Sequence, residues 1–130
     1  MSLAERIRDS RRSIVEVGGH RFKIERPTPH DMQRIRAALR ALSETERPLV
    51  WVDEFLGFVV DWPGMLELDL LPGGTGVEVA FDAEAFRVWV ADHPDTAQGL
   101  AEAVMAAWSA YVETLEADEK KSPTGSPPDN

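Results

Sequence analysis

The stretch that decides the fold runs from Phe55 to Leu115. It reads FLGFVVDWPGM over 55–65, then a glycine-broken loop, then VAFDAEAFRVWVADHP over 79–94, then a long apolar-striped segment. It holds Trp62, Trp89 and Trp108, and Trp51 lies just before it. No nucleophile setting, metal cluster or phosphate loop stands beside these rings. Large aromatics without chemistry next to them point to packing or protein binding.

Working outward, Pro48 starts a helix expected to run through about Val60. Trp51, Phe55 and Val59 recur every four residues, and Val52, Leu56 and Phe58 widen the face. A helix apolar on most sides is a central, buried one. Asp61-Trp62-Pro63-Gly64 stops it, because Pro and Gly punctuate structure. Beyond the stop, Met65–Leu71 and Val77–Phe81 flank Pro72-Gly73-Gly74-Thr75-Gly76. The alternation suits a second, looser hairpin, and helix is the competing reading for the first run. Asp82 caps a short helix over Ala83–Ala91, with Phe86, Trp89 and Val90 inward. Pro94 or Asp95 opens the last helix, expected to reach about Asp118. Leu100, Val104, Trp108, Tyr111 and Leu115 form its stripe.

On the N-terminal side, residues 2–12 are a charged leader, compatible with a frayed helix. Ile14, Val15 and Val17, then Gly18-Gly19, then Phe22 and Ile24 read as a β-hairpin. Thr28, Pro29 and Asp31 are helix-start residues, and Met32, Ile35, Leu39 and Leu42 share one helical face. The whole is α+β and mainly α. It comprises an N-terminal β-hairpin, about four helices and a second short hairpin or loop. Residues 1–118 are expected to form a single globular domain with the charged leader, and 119–130 a disordered tail. That tail, EKKSPTGSPPDN, offers no apolar side chain but proline.

At 130 residues the chain is long enough to bury a core without staples. It has no cysteine, which excludes disulfide scaffolds, zinc ribbons and thiol catalysis. Its longest apolar run, Phe55–Val60, is too short to span a bilayer, and MSLAERIRDSRRS lacks a signal-peptide core. A cytoplasmic protein with no membrane partner is expected. The net charge of -9 is uneven. Residues 1–40 carry ten basic and five acidic side chains, whereas 41–119 carry two basic and seventeen acidic ones. The acidic body repels nucleic acid. The basic front lacks the interleaved aromatics of nucleic-acid modules, so it reads as a solvated arm, and no nucleic-acid partner is expected.

Candidate sites are few. His20, His30 and His93 lack a second His or Cys at metal-ligand spacing, so no metal is expected. Gly73–Gly76 lacks the GK[ST] ending of a phosphate loop, and no cofactor is expected. Asp53, Glu54, Asp61, Glu67 and Asp69 could supply a glycosidase-type pair, but acids this common form such pairs by chance. No catalytic residue is assigned, and the chain is read as a non-enzyme. Trp62, in its Pro-Gly turn, and Trp108, midway along the last helix, are the candidates for partner contact. Leu100, Val104 and Tyr111 complete the candidate protein-binding stripe. Burial in the core is the competing reading for each.

The segments VEVGGHRFKIERPTPHDMQRI (15–35), FVVDWPGM (58–65) and VEVAFDAEAFRVWVADHP (77–94), with the long final helix, resemble the short tail assembly chaperones of lambda-type long-tailed bacteriophages. In that family an N-terminal βαα portion precedes a V-x-W-x-G turn. A strand ending in Phe with an acidic cap then leads into two helices. Pro63 is a variation on the Trp-Gly turn. Glu119-Lys120-Lys121-Ser122-Pro123 matches in character the run near which the family's ribosomes shift frame to make a longer fusion product. The resemblance implies a chaperone that binds and solubilises the tape measure protein in the host cytoplasm before the tail tube polymerises. It also implies a frameshifted longer form of the chain as a further partner, and a homo-oligomer is compatible with it. The rival readings are a structural tail or head-tail connector protein, a small two-carboxylate hydrolase, and an acidic inhibitor that mimics nucleic-acid charge.

Overall fold

The computed structural model describes residues 1–121. Within them the chain is α+β and mainly helical. Helix α1 (Leu3–Asp9) leads into strands β1 (Arg12–Val17) and β2 (His20–Glu25). Helices α2 (Pro29–Arg40) and α3 (Arg47–Leu56) follow, then strand β3 (Val59–Asp61). A single helical turn, α4 (Glu67–Leu70), precedes α5 (Ala83–Val90) and the long α6 (Pro94–Lys121).

The hairpin forms where glycine chemistry dictates. Gly18 and Gly19 have φ of 62° and 80°, as a two-residue turn of the I′ type requires. Val15 then pairs with Phe22, and Val17 with His20. Alternation sends Phe22 and Ile24 into the core, where both are buried. The expected start of α2 is present in full. The Thr28 hydroxyl accepts from the Asp31 amide at 3.1 Å, the Asp31 carboxylate accepts from the Thr28 amide at 2.9 Å, and Pro29 occupies the first turn.

Several expectations are corrected. The helix from Pro48 does not reach Val60. It ends at Leu56, with Gly57 as its C-cap, and Val59–Asp61 leave as a strand. Ile24 pairs with Val59, and the Glu25 amide donates to the Phe58 carbonyl at 2.8 Å. The free edge of β2 offers a hydrogen-bond ladder, and β-branched Val59 and Val60 favour the extended form that can use it. The hairpin thereby supplies two strands of a three-stranded antiparallel sheet in the order β1-β2-β3.

The second hairpin is reduced to one isolated bridge between Leu66 and Glu78. The competing reading holds for the first run: Glu67–Leu70 make a helical turn, with the Asp69 carboxylate accepting from the Leu66 amide at 3.1 Å. Counting α1 and α4, six helices are present among the described residues where about four were expected. Helix α6 also continues through Lys121, three residues into the run read as a disordered tail. The rest of that run, 122–130, lies outside the described residues.

The core gathers around α6, against which α3 and β1 pack. Phe22, Ile24, Ile35, Phe55, Phe86 and Leu100 are among its fully buried members. The hairpin tip reaches the start of α6 at very close range. A Cβ placed on Gly18 would meet the Thr96 hydroxyl at 2.5 Å, and one on Gly99 would meet Val17 Cγ1 at 2.7 Å. Beyond Val112 the described part of α6 is exposed and runs out past the core.

Candidate interaction surface

The structure places the aromatic and apolar side chains singled out in the sequence inside the molecule. Trp62 is 1 % exposed, and its indole Nε1 donates to the Val79 carbonyl at 3.0 Å. Leu100 and Val104 are fully buried, and Trp108 is 9 % exposed. Tyr111 is half-buried beneath the guanidinium of Arg26, which sits 3.6 Å from the ring centroid. The stripe of α6 is therefore core through Trp108, and only its end emerges, with Tyr111 half-buried and Leu115 44 % exposed. A long helix in a small domain buries its apolar stripe against its own sheet and helices before any partner arrives.

The polar candidates are occupied in structural roles. Asp53 pairs with Arg87 at 2.9 Å and Glu54 with Arg34 at 3.0 Å. Asp61 accepts from the Trp62 amide, Asp69 from the Leu66 amide, and Glu67 from the Thr75 amide. The glycine loop folds back on α4. The Gly74 amide donates to the Leu71 carbonyl at 3.1 Å, and the Thr75 amide is spent on Glu67, so neither points out to cradle a phosphate. His20 and His93, far apart in sequence, both meet Trp89. His93 stacks on its indole at 4.4 Å, and His20 approaches its edge at 5.7 Å. No group of three or more His, Cys, Asp or Glu side chains suited to a metal occurs among the described residues.

What the fold does expose is a groove of about 930 Å³ between α4 with its following loop and α5. Leu68, Leu71 and Val88 line it, and these three are 51 %, 52 % and 69 % exposed. Buried Trp89 lies in its wall, with an indole Nε1 that finds no hydrogen-bond partner among the described residues. Five carboxylates border the groove, on Glu67, Asp69, Asp82, Glu84 and Asp92, and no lysine or arginine lines it. An apolar floor inside an acidic rim suits an apolar helical segment flanked by basic side chains.

Sequence reasoning missed this groove. Val88 falls out of phase with the inward Phe86, Trp89 and Val90, and that mismatch was the available signal. Leu68 and Leu71 were hidden in a run read as a half-buried strand.

Comparison with protein-family models, with curated proteins and with solved structures finds no match for this chain. Among the described residues no helix is long and apolar enough to cross a membrane.

Proposed function

We propose that this chain is a protein-binding module of the tail assembly chaperone type, which holds an apolar helical segment of the tape measure protein and keeps it from aggregating before tail assembly in the host cytoplasm. The observation that carries the reading is the acid-rimmed apolar groove between α4 and α5. It replaces the α6 stripe as the contact surface. Exposed Leu68, Leu71 and Val88 supply apolar area, and the surrounding carboxylates select a client with basic flanks and keep a crowded coat of copies apart. The resemblance of 15–35, 58–65 and 77–94 to that chaperone family supplies the choice of client. Binding of this kind is not catalysis and calls for no cofactor.

Co-expression tests the proposal. A tape measure fragment that is insoluble alone is expected to become soluble with this protein. If it stays insoluble beside the folded protein, and the protein is found in purified particles, the structural-component reading replaces the chaperone.

A further inference from the structure

Among the described residues two surfaces lack a partner, and they are complementary. The first is the groove just described. The second is α1. Its seven residues form a capped helix: the Ser2 hydroxyl accepts from the Glu5 amide at 3.1 Å, and the Glu5 carboxylate accepts from the Ser2 amide at 3.1 Å. Yet no residue of α1 is buried. Helices much shorter than about 12 residues are marginal in water without something to pack on. Leu3 and Ile7, one turn apart, share a face, and they are 70 % and 46 % exposed. Arg6 borders that face, Arg8 lies further round the helix and Arg11 just past its end, while both acids of α1, Glu5 and Asp9, lie on the far side, Glu5 held by Ser2. This is an apolar helix edge carried among arginines. The groove is an apolar floor ringed by five carboxylates, with His93 at its wall and no lysine or arginine in its lining.

We infer that α1 of one copy docks in the α4–α5 groove of a second copy, Leu3 and Ile7 on Leu68, Leu71 and Val88, with the arginines against Glu84, Asp92 and their neighbours. The contact joins two different patches, so it is heterologous: each copy offers one helix and one groove, and copies add head to tail. It stands whether or not the client is the tape measure protein. A copy's α1 keeps the groove covered while no client is present.

The test is the mass of the full chain in solution against concentration and salt, by sedimentation equilibrium. The wild type is expected to rise above the 14.5 kDa of one chain as it is concentrated. The rise should shrink as the screening length falls from about 10 Å at 0.1 M salt to about 3 Å at 1 M. A helix variant, Leu3→Glu with Ile7→Glu, and a groove variant, Glu84→Lys with Asp92→Lys, should each stay at single-chain mass. Their association should be weakened more than tenfold. All four positions are exposed, so the variants keep the fold, which circular dichroism checks. The decisive arm uses mixtures. The groove of the helix variant is intact, and so is α1 of the groove variant. Mixed with each other, the two variants should pair one to one and stop there, because only one α1–groove contact can form between them, and a mixture that stays at single-chain mass overturns the inference. A wild type that stays at single-chain mass up to roughly millimolar concentration at low salt overturns the inference. So does association that either variant leaves unchanged. Quenching of Trp89 that depends on α1 but not on concentration overturns it too, because α1 would then lie in its own chain's groove.

Discussion

The indole nitrogen of Trp62, at the turn after β3, donates to the carbonyl oxygen of Val79, seventeen positions further along the chain, at 3.0 Å. The ring is buried and meets Phe81 and Phe86 edge-on, at 5.2 and 6.3 Å between centroids. One side chain thus ties the sheet to the segment that builds the groove. Trp62→Ala should cost about 3–5 kcal/mol in urea unfolding, as for other buried large-to-small changes. Trp62→Phe keeps most of the volume, loses the bond and leaves the Val79 carbonyl unpaired, so it should cost about 1–3 kcal/mol. A cost near zero for both would mean that the ring does not anchor this segment.

The hairpin tip and α6 meet where glycine allows it. In a helix interior, Gly→Ala ordinarily gains about 1 kcal/mol. At Gly99 the new methyl would meet Val17 Cγ1 at 2.7 Å, and overpacking of about 1–3 kcal/mol outweighs that gain. Gly99→Ala should therefore lower the melting temperature. Gly18→Ala combines a φ of 62° with a contact of 2.5 Å to Thr96, whereas Gly19→Ala has positive φ but nothing within 4 Å. The expected order of damage is Gly18→Ala above Gly19→Ala, and a reversed order in thermal unfolding would show that the tip does not press on α6.

Stability and client binding should separate. Val88→Lys places a charge at a position 69 % exposed in the groove. It should change stability by no more than about 0.5 kcal/mol. It should also weaken the rescue of a tape measure fragment at least tenfold. Trp108→Ala removes a core side chain and should cost about 3–5 kcal/mol, so its loss of rescue would follow unfolding. Equal rescue by Val88→Lys and wild type would remove the groove from the binding surface.

Acid should loosen α1 before the core. The amide of Ser2, and then its hydroxyl, hold the Glu5 carboxyl below its ordinary value of 4.5. The Ser43 hydroxyl and amide do the same for Glu46. A depressed folded-state pKa contributes stability that is present above the unfolded value and is lost as pH falls through the folded one. The helical carbon shifts of Leu3–Asp9 should thus persist at pH 5 and decay only below about 4.5. Decay centred above 4.5 would mean that the capping pair does not hold the helix.

Local chemistry determined much of this protein. The Gly18-Gly19 turn, the Thr28-Pro29-Asp31 helix start, the Asp82 cap and the Pro63-Gly64 break are written in residues whose backbone preferences act over a few positions. So is the mainly helical α+β class. What only the tertiary structure decided depends on distant partners. Val59 and Val60 are apolar at helical spacing and β-branched at once, and the open edge of β2 chose the strand. The stripe of Leu100, Val104 and Trp108 has the same periodicity whether it faces a partner or a core, and the packing of α3 and β1 on α6 turned it inward. The groove is assembled from Leu68 in α4, Leu71 at the C-cap of that helix and Val88 in α5, and no periodicity links Val88 to the other two. Periodicity records that a face must be buried. Which surface buries it is settled by contacts between segments far apart in the chain, and those form only when the whole domain closes.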